Sequence, residues 1–246
     1  MRNAMKLWLV TTLLMLLIAG CTNRDDWSRR ISDAAASAAG QGKLGEAEII
    51  AGLKEALQVG TQRAVQLLSK DGGYLNDLQV RIPVPESLRG VERTLRDLGQ
   101  GKAVDGFITT LNRAAERAVP EAVDIFVDVI SSMTLEDARN ILNGPDDAAT
   151  RFFRQRSEVR LSDRLRPVIE RATAQVGVTS SYKDMLRRAG PLASLVDKEA
   201  QDIDGYVTAR ALDGLFHKLA AEEKLIRDNP AARTTELLRK VFGSKG

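Results

Sequence analysis

Apolar residues recur along most of this chain at intervals of three and four, a period that places them on one side of a helix; a half-buried strand needs a period of two. Ile49, Ile50, Leu53, Leu57, Ala64, Val65 and Leu68 share one side of a predicted helix from about Glu46 to Ser69, with Gly60 inside it. Leu88, Val91, Leu95 and Leu98 form a second stripe that Gly99 stops, and Val104, Phe107, Ile108, Leu111, Ala115 and Ala118 form a third. Pro120 lacks the amide hydrogen of a continuing helix, so it marks a kink or a new start before Ile125, Phe126, Val129 and Ile130. Thr134 and Asp137 have capping-box spacing ahead of Ile141 and Leu142, and Asn143-Gly144-Pro145 ends that piece. Further helices are expected from about Asp147, from Ser180 or Ser181, and from Asp204, the last with Val207, Ala211, Leu212, Leu215, Phe216 and Leu219 on its apolar side. Asn229-Pro230 then caps and begins a final helix carrying Leu237, Leu238, Val241 and Phe242. Between Leu78 and Pro85 alone do apolar residues alternate, at Val80, Ile82 and Val84, and this reads as a connection packed on helices. The fold class is therefore all-α: a single irregular multi-helix bundle over residues 46–243, with a short tail at 244–246. No fixed-period repeat supports a solenoid.

The N-terminus carries a different signal. Arg2 and Lys6 precede an apolar run from Leu7 to Ile18, broken only by Thr11 and Thr12. About a dozen residues are too few for a bilayer-spanning helix, which needs roughly 20, and suit a secretory signal. Ile18-Ala19-Gly20-Cys21 resembles the bacterial lipobox: an aliphatic residue, two small ones, then the cysteine whose thiol takes a diacylglyceryl group. Residues 1–20 are thus expected to be a lipoprotein signal peptide and Cys21 the lipidated residue. Several acyl chains make attachment effectively permanent, since each buried methylene contributes about 0.8 kcal/mol. Residues 21–45 are polar and small, centred on Ala34-Ala35-Ala36-Ser37-Ala38-Ala39-Gly40, and read as a flexible tether. Thr22 is not the aspartate that resembles an inner-membrane retention signal, so the expected location is the outer membrane, facing the periplasm.

Charge and rare residues narrow the chemistry. The 36 basic and 33 acidic side chains become 34 and 33 once Arg2 and Lys6 leave with the signal, so no nucleic-acid surface is indicated. One cysteine, committed to lipid, and one histidine leave neither a disulfide framework nor a multi-ligand metal site, and no cofactor is expected. His217 shares a helix face with Asp213, half a metal site at most, and reads as a solvated residue. Asp202 and Asp204 before Gly205 lack the ligands of a calcium loop, leaving Asp204 to begin a helix.

Two groups of residues allow a functional reading. Asn112 continues the apolar stripe through Ile108, with Arg113 beside it and Glu116 one turn on. A polar residue on such a stripe must find partners. Either Asn112 bonds an irregular backbone segment while Glu116 pairs with Arg113 or a neighbouring helix, or Asn112, Arg113 and Glu116 are the polar contacts of a binding groove. Arg227 and Arg233 flank Asn229-Pro230 and either clamp an anion or, for Arg227, pair with Glu223 four residues before it.

Gly52-Leu53-Lys54-Glu55-Ala56-Leu57, Arg81-Ile82-Pro83 and Asn112-Arg113-Ala114-Ala115-Glu116 with Val119-Pro120 occur in an order that resembles the domain of unknown function 4197 family. Met133-Thr134 with Asp137-Ala138, Ala149-Thr150, Tyr206-Val207-Thr208, Ala211 to Phe216, and Ile226-Arg227 with Asn229-Pro230-Ala231-Ala232 extend the resemblance over about Glu46 to Gly243. It implies a helical, envelope-directed bacterial protein and brings no activity with it. The expected function is a membrane-anchored binding or interaction module whose partner is an envelope protein or a small apolar ligand. Two alternatives stand beside it. One is a hydrolase using carboxylates such as Glu116 with Asp137 or Glu223, which needs two of them converging in one cleft; the other is a structural spacer.

Overall fold

The computed structural model describes residues 45–175, 187–188 and 202–229. The chain divides into units 1–44 and 45–246, and the first lies wholly outside the described residues. So do the expected signal, tether and final helix, and nearly all of the helix expected from Ser180 or Ser181.

Seven α-helices form the described body, and no strand occurs among the described residues. They are α1 (Glu46–Ser69), α2 (Arg89–Asp97), α3 (Gly101–Ala118), α4 (Ala122–Ser131), α5 (Leu135–Asn143), α6 (Ala148–Gln175) and α7 (Ile203–Asp228). The break at Pro120 is a 3-10 turn, Val119–Glu121, with proline near its start where its missing donor is not needed. Another 3-10 turn, Glu86–Leu88, leads into α2.

The sequence pattern of α6 explains its central position. Ala149, Phe153, Ser157, Leu161, Leu165 and Ile169 are buried at steps of four. Four residues overshoot a helical turn by about 40°, so this line winds around the helix and meets different partners along its length. Helix α6 accordingly packs on α7, α3 and α4, and α7 in turn packs on α1. The ring of Phe153 meets that of Phe126 from α4 edge-on at 5.2 Å. Arginines on the flanks of α6 add ion pairs: Arg156 to Asp137, Arg160 to Asp128 and Arg164 to Glu121 on one side, Arg154 to Asp213 and Arg166 to Asp202 on the other. Such exposed pairs contribute about 0–1 kcal/mol each, so the buried stripe dominates. Pro167 sits inside α6, and both it and Asp163, whose carbonyl loses its helical donor, are exposed, where water can substitute.

Helix ends follow local chemistry. Thr134 accepts from the Asp137 amide at 3.1 Å while the Asp137 carboxylate accepts from the Thr134 amide at 3.0 Å, completing the expected capping box. The Thr134 amide, followed by its hydroxyl, holds the Asp137 carboxyl below the usual carboxylate range. Helix α2 stops through Gly99 at φ +74°, with Gly99 N–H donating to Arg96 and Gln100 N–H to Leu95, the two bonds of a Schellman end. Leu98, expected on the apolar side, is 66% exposed because it occupies the cap and not the last buried turn. The cap of α7 is Asp202, whose side chain accepts from Gly205 N–H; Asp204 is inside the first turn and accepts from the Thr173 hydroxyl.

One glycine of α7 sets a close approach. Tyr74 is fully buried, its hydroxyl donates to the Ala211 carbonyl at 2.8 Å, and its ring lies against Gly214. Burial, and after it the Glu116 carboxylate, pushes the phenol above its ordinary range, so it remains a donor. A Cβ at position 214 would come within 2.7 Å of the Tyr74 ring and 3.2 Å of Val80. Gly214→Ala is therefore expected to lower unfolding free energy by about 1–3 kcal/mol in urea titration, against the gain alanine brings to an open helix. Unchanged or raised stability would mean that Tyr74 has room to move.

Candidate functional site

After α1 the chain closes turns on itself as far as the Arg81 amide, which donates to the Asp77 carbonyl, and beyond that it runs without such bonds. Residues 81–85 have no helical or strand partner, yet Val80, Ile82 and Val84 are buried against the helices. Buried amides need partners. Asn112, wholly buried on α3, supplies both for Ile82: its Oδ1 accepts from Ile82 N–H at 2.8 Å and its Nδ2 donates to the Ile82 carbonyl at 2.9 Å. The same Nδ2 donates to Ile108. One side chain thus does for this connection what a neighbouring strand would do.

Glu116, one turn further, serves the turn before it. Its Oε1 accepts from the amides of Tyr74 and Leu75 at 3.1 and 3.2 Å, and its Oε2 from Arg113 at 2.8 Å. Arg113 also pairs with Asp71. The chain reaches Tyr74 through Gly72, at φ +79°, and Gly73, where a Cβ would fall 2.4 Å from the Leu68 carbonyl. Of the two readings of Asn112, Arg113 and Glu116, the structure displays the first: these groups bond backbone and each other.

Glu223 repeats the device at a distance. Its oxygens accept from the amides of Ala149 and Thr150 and from the Thr150 hydroxyl, each at 2.9 Å. These are amides of the first turn of α6, which no residue within α6 could satisfy, so α7 caps α6 from outside. Arg227 donates to Glu223 at 2.8 Å and to the Ile141 carbonyl at 2.9 Å. The pairing alternative therefore describes Arg227, and Arg233 lies outside the described residues, as does Cys21.

Beside this network the helices leave an apolar cleft between α1, α5 and α7. Leu53, Leu57, Gly60, Leu219, Ile226 and Arg227 line it. About 360 Å³ lies among these residues when the open solvent at its mouth is counted. About 20 Å³ is deep enough to enclose a water. Arg227 and Glu223, both named from the sequence, border this cleft. On the α1 side of the same crossing, Glu222 is 9% exposed, and its Oε2 has no hydrogen-bond partner among the described residues. Glu222 continues the apolar stripe of α7, three residues after Leu219 and four before Ile226, and sequence analysis does not single it out.

The carboxylates of the hydrolytic alternative are each already engaged: Glu116 with Arg113, Asp137 with Arg156 and Glu223 with Arg227, all with backbone amides as well. His217 is exposed, and no cluster of three metal-ligating side chains occurs among the described residues. No described helix is long and apolar enough to cross a membrane.

No curated protein and no solved structure matches the chain. One family model does, across residues 43–243, which take in every element described above together with the Asn112, Glu116 and Glu223 networks. That match covers most of the sequence, and the chain belongs to the family described as protein of unknown function, DUF4197.

Proposed function

We propose that this protein is a lipid-anchored binding module of the bacterial cell envelope, attached through Cys21 and facing the periplasm from the outer membrane. The observation that carries the reading is Ile18-Ala19-Gly20-Cys21 placed directly after a basic start and a short apolar run. Thr22 in place of an aspartate supports the outer-membrane destination. The binding surface is the apolar cleft between α1, α5 and α7, and its occupant is a small apolar ligand or an apolar segment of an envelope protein. Binding is favoured over hydrolysis because Glu116, Asp137 and Glu223 are held by arginines and amides, an arrangement that fixes backbone and leaves no carboxylate pair free for proton transfer.

In cells fed labelled palmitate the protein is expected to become labelled and to fractionate with the outer membrane. Cys21→Ala should abolish labelling. Equal labelling of both forms, or none of either, would refute the anchor. Crosslinking in intact cells tests the binding reading separately: substitution of Leu57 or Ile226 by a bulky polar residue should remove any recurrent partner while the helical content is retained.

A further inference from the structure

Helices α6 and α7 run antiparallel, as the pairs Arg154–Asp213 and Arg166–Asp202 require, and a groove lies between them. It shares no residue with the α1–α5–α7 cleft. Val159, Ser162, Asp163 and Arg166 form its α6 wall at steps of three and four. The α7 wall opposite, Gly205, Thr208 and Ala209 before Leu212, is mostly small, and Val159 is left 74% exposed. Asp163, one turn after Val159, brings two acceptors to the same wall. Its exposed carboxylate has no ion pair or hydrogen bond among the described residues, and Pro167 denies its carbonyl the helical donor. The surrounding charges do not balance it. Glu158 and Asp213 share Arg154, Asp213 also meets Arg210, and Arg166 serves both Glu170 and Asp202. With Asp163 that makes five carboxylates against three guanidiniums.

We infer that this groove is a docking surface for an amphipathic helix of a protein partner, one that carries a lysine or arginine a single turn from an apolar residue. Charge complementarity sets the sign: a basic side chain answers the unmatched Asp163, whereas an acidic one would meet it as a like charge. An ammonium or guanidinium also has donors enough for the carboxylate and the carbonyl of Asp163 together, which a single hydroxyl lacks. Val159 sets the second contact. It stands one turn from Asp163, and a helix laid along the groove repeats that spacing, so its apolar side chain covers Val159 when its basic one reaches Asp163. This surface is additional to the proposed cleft, and either can bind without the other.

The test uses the full chain in lipid nanodiscs and a phage-displayed library of helical peptides randomised along one face. Passage over empty nanodiscs first removes peptides that bind lipid. Enriched peptides are expected to carry lysine or arginine three or four positions from leucine, isoleucine or valine, and to bind several times more weakly when salt is raised from about 0.05 to about 0.5 M. Asp163→Asn should weaken them about tenfold, and Val159→Lys should abolish binding. Both positions are exposed, so circular dichroism should show an unchanged fold. Pro167→Ala separates docking from architecture. It returns a helical donor to the Asp163 carbonyl, so the fold should be at least as stable while peptide binding falls severalfold. Failure of any peptide to enrich, enrichment of acidic or uncharged peptides, or binding that any of the three substitutions leaves untouched would overturn the inference.

Discussion

Asn112→Leu is expected to remove about 2–6 kcal/mol of unfolding free energy, because it strips two buried backbone groups of Ile82 of their partners at about 1–3 kcal/mol each. Leucine is close to asparagine in size and continues the apolar stripe of α3, so helix propensity and hydrophobic burial both favour the variant; only the orphaned amide and carbonyl oppose it. Against a total stability of about 5–15 kcal/mol for an ordinary domain the loss is large. Urea titration followed by circular dichroism measures it, and amide exchange at Ile82 shows where it falls. A leucine variant as stable as its parent would mean that residues 80–84 find other partners, and the pairing of Asn112 with Ile82 would then have no structural weight.

The same residue shows how much of the fold could be read in advance. A polar side chain interrupting the stripe through Ile108 required a buried partner, and a nearby segment with alternating Val80, Ile82 and Val84 was available to be that partner. The helices were legible because their signals are local: the Thr134–Asp137 box, Gly99 past the end of α2, and Pro120 between α3 and α4 each involve residues a few positions apart. Errors at the ends were also local. Leu98 has stripe spacing yet occupies a cap, and Asp202 caps α7 two residues before the acid expected to begin it.

The Glu223 network was not legible, for a physical reason. Glu223 sits four residues before Arg227, and that spacing alone accounts for a helical ion pair. Nothing in it announces that the carboxylate also caps a helix beginning more than seventy positions earlier, since the first turn of α6 shows a shortage only when its surroundings are known. Glu222 and Gly214 were hidden likewise: a missing hydrogen bond and a ring over a glycine are properties of helix crossings, which periodicity does not specify.

Removal of Glu223 therefore tests the part of the fold that only the structure reveals. Glu223→Leu should lower stability by about 3–5 kcal/mol, the loss typical of breaking one side of a buried charge pair. It leaves two amides of α6 without acceptors and takes from Arg227 the carboxylate beside it, while the bond of Arg227 to the Ile141 carbonyl stays. The two contributions separate in the double variant. Arg227→Leu added to Glu223→Leu removes the guanidinium that had paired with the carboxylate and should restore part of the loss, while the Ala149 and Thr150 amides remain unbonded and keep the remainder. Amide exchange should follow this division, staying fast at Ala149 and Thr150 in the double variant. Full recovery would show that Glu223 matters only as a partner for Arg227. No recovery would show that the cap on α6 carries the entire effect, and that α7 holds the bundle together chiefly by ending another helix.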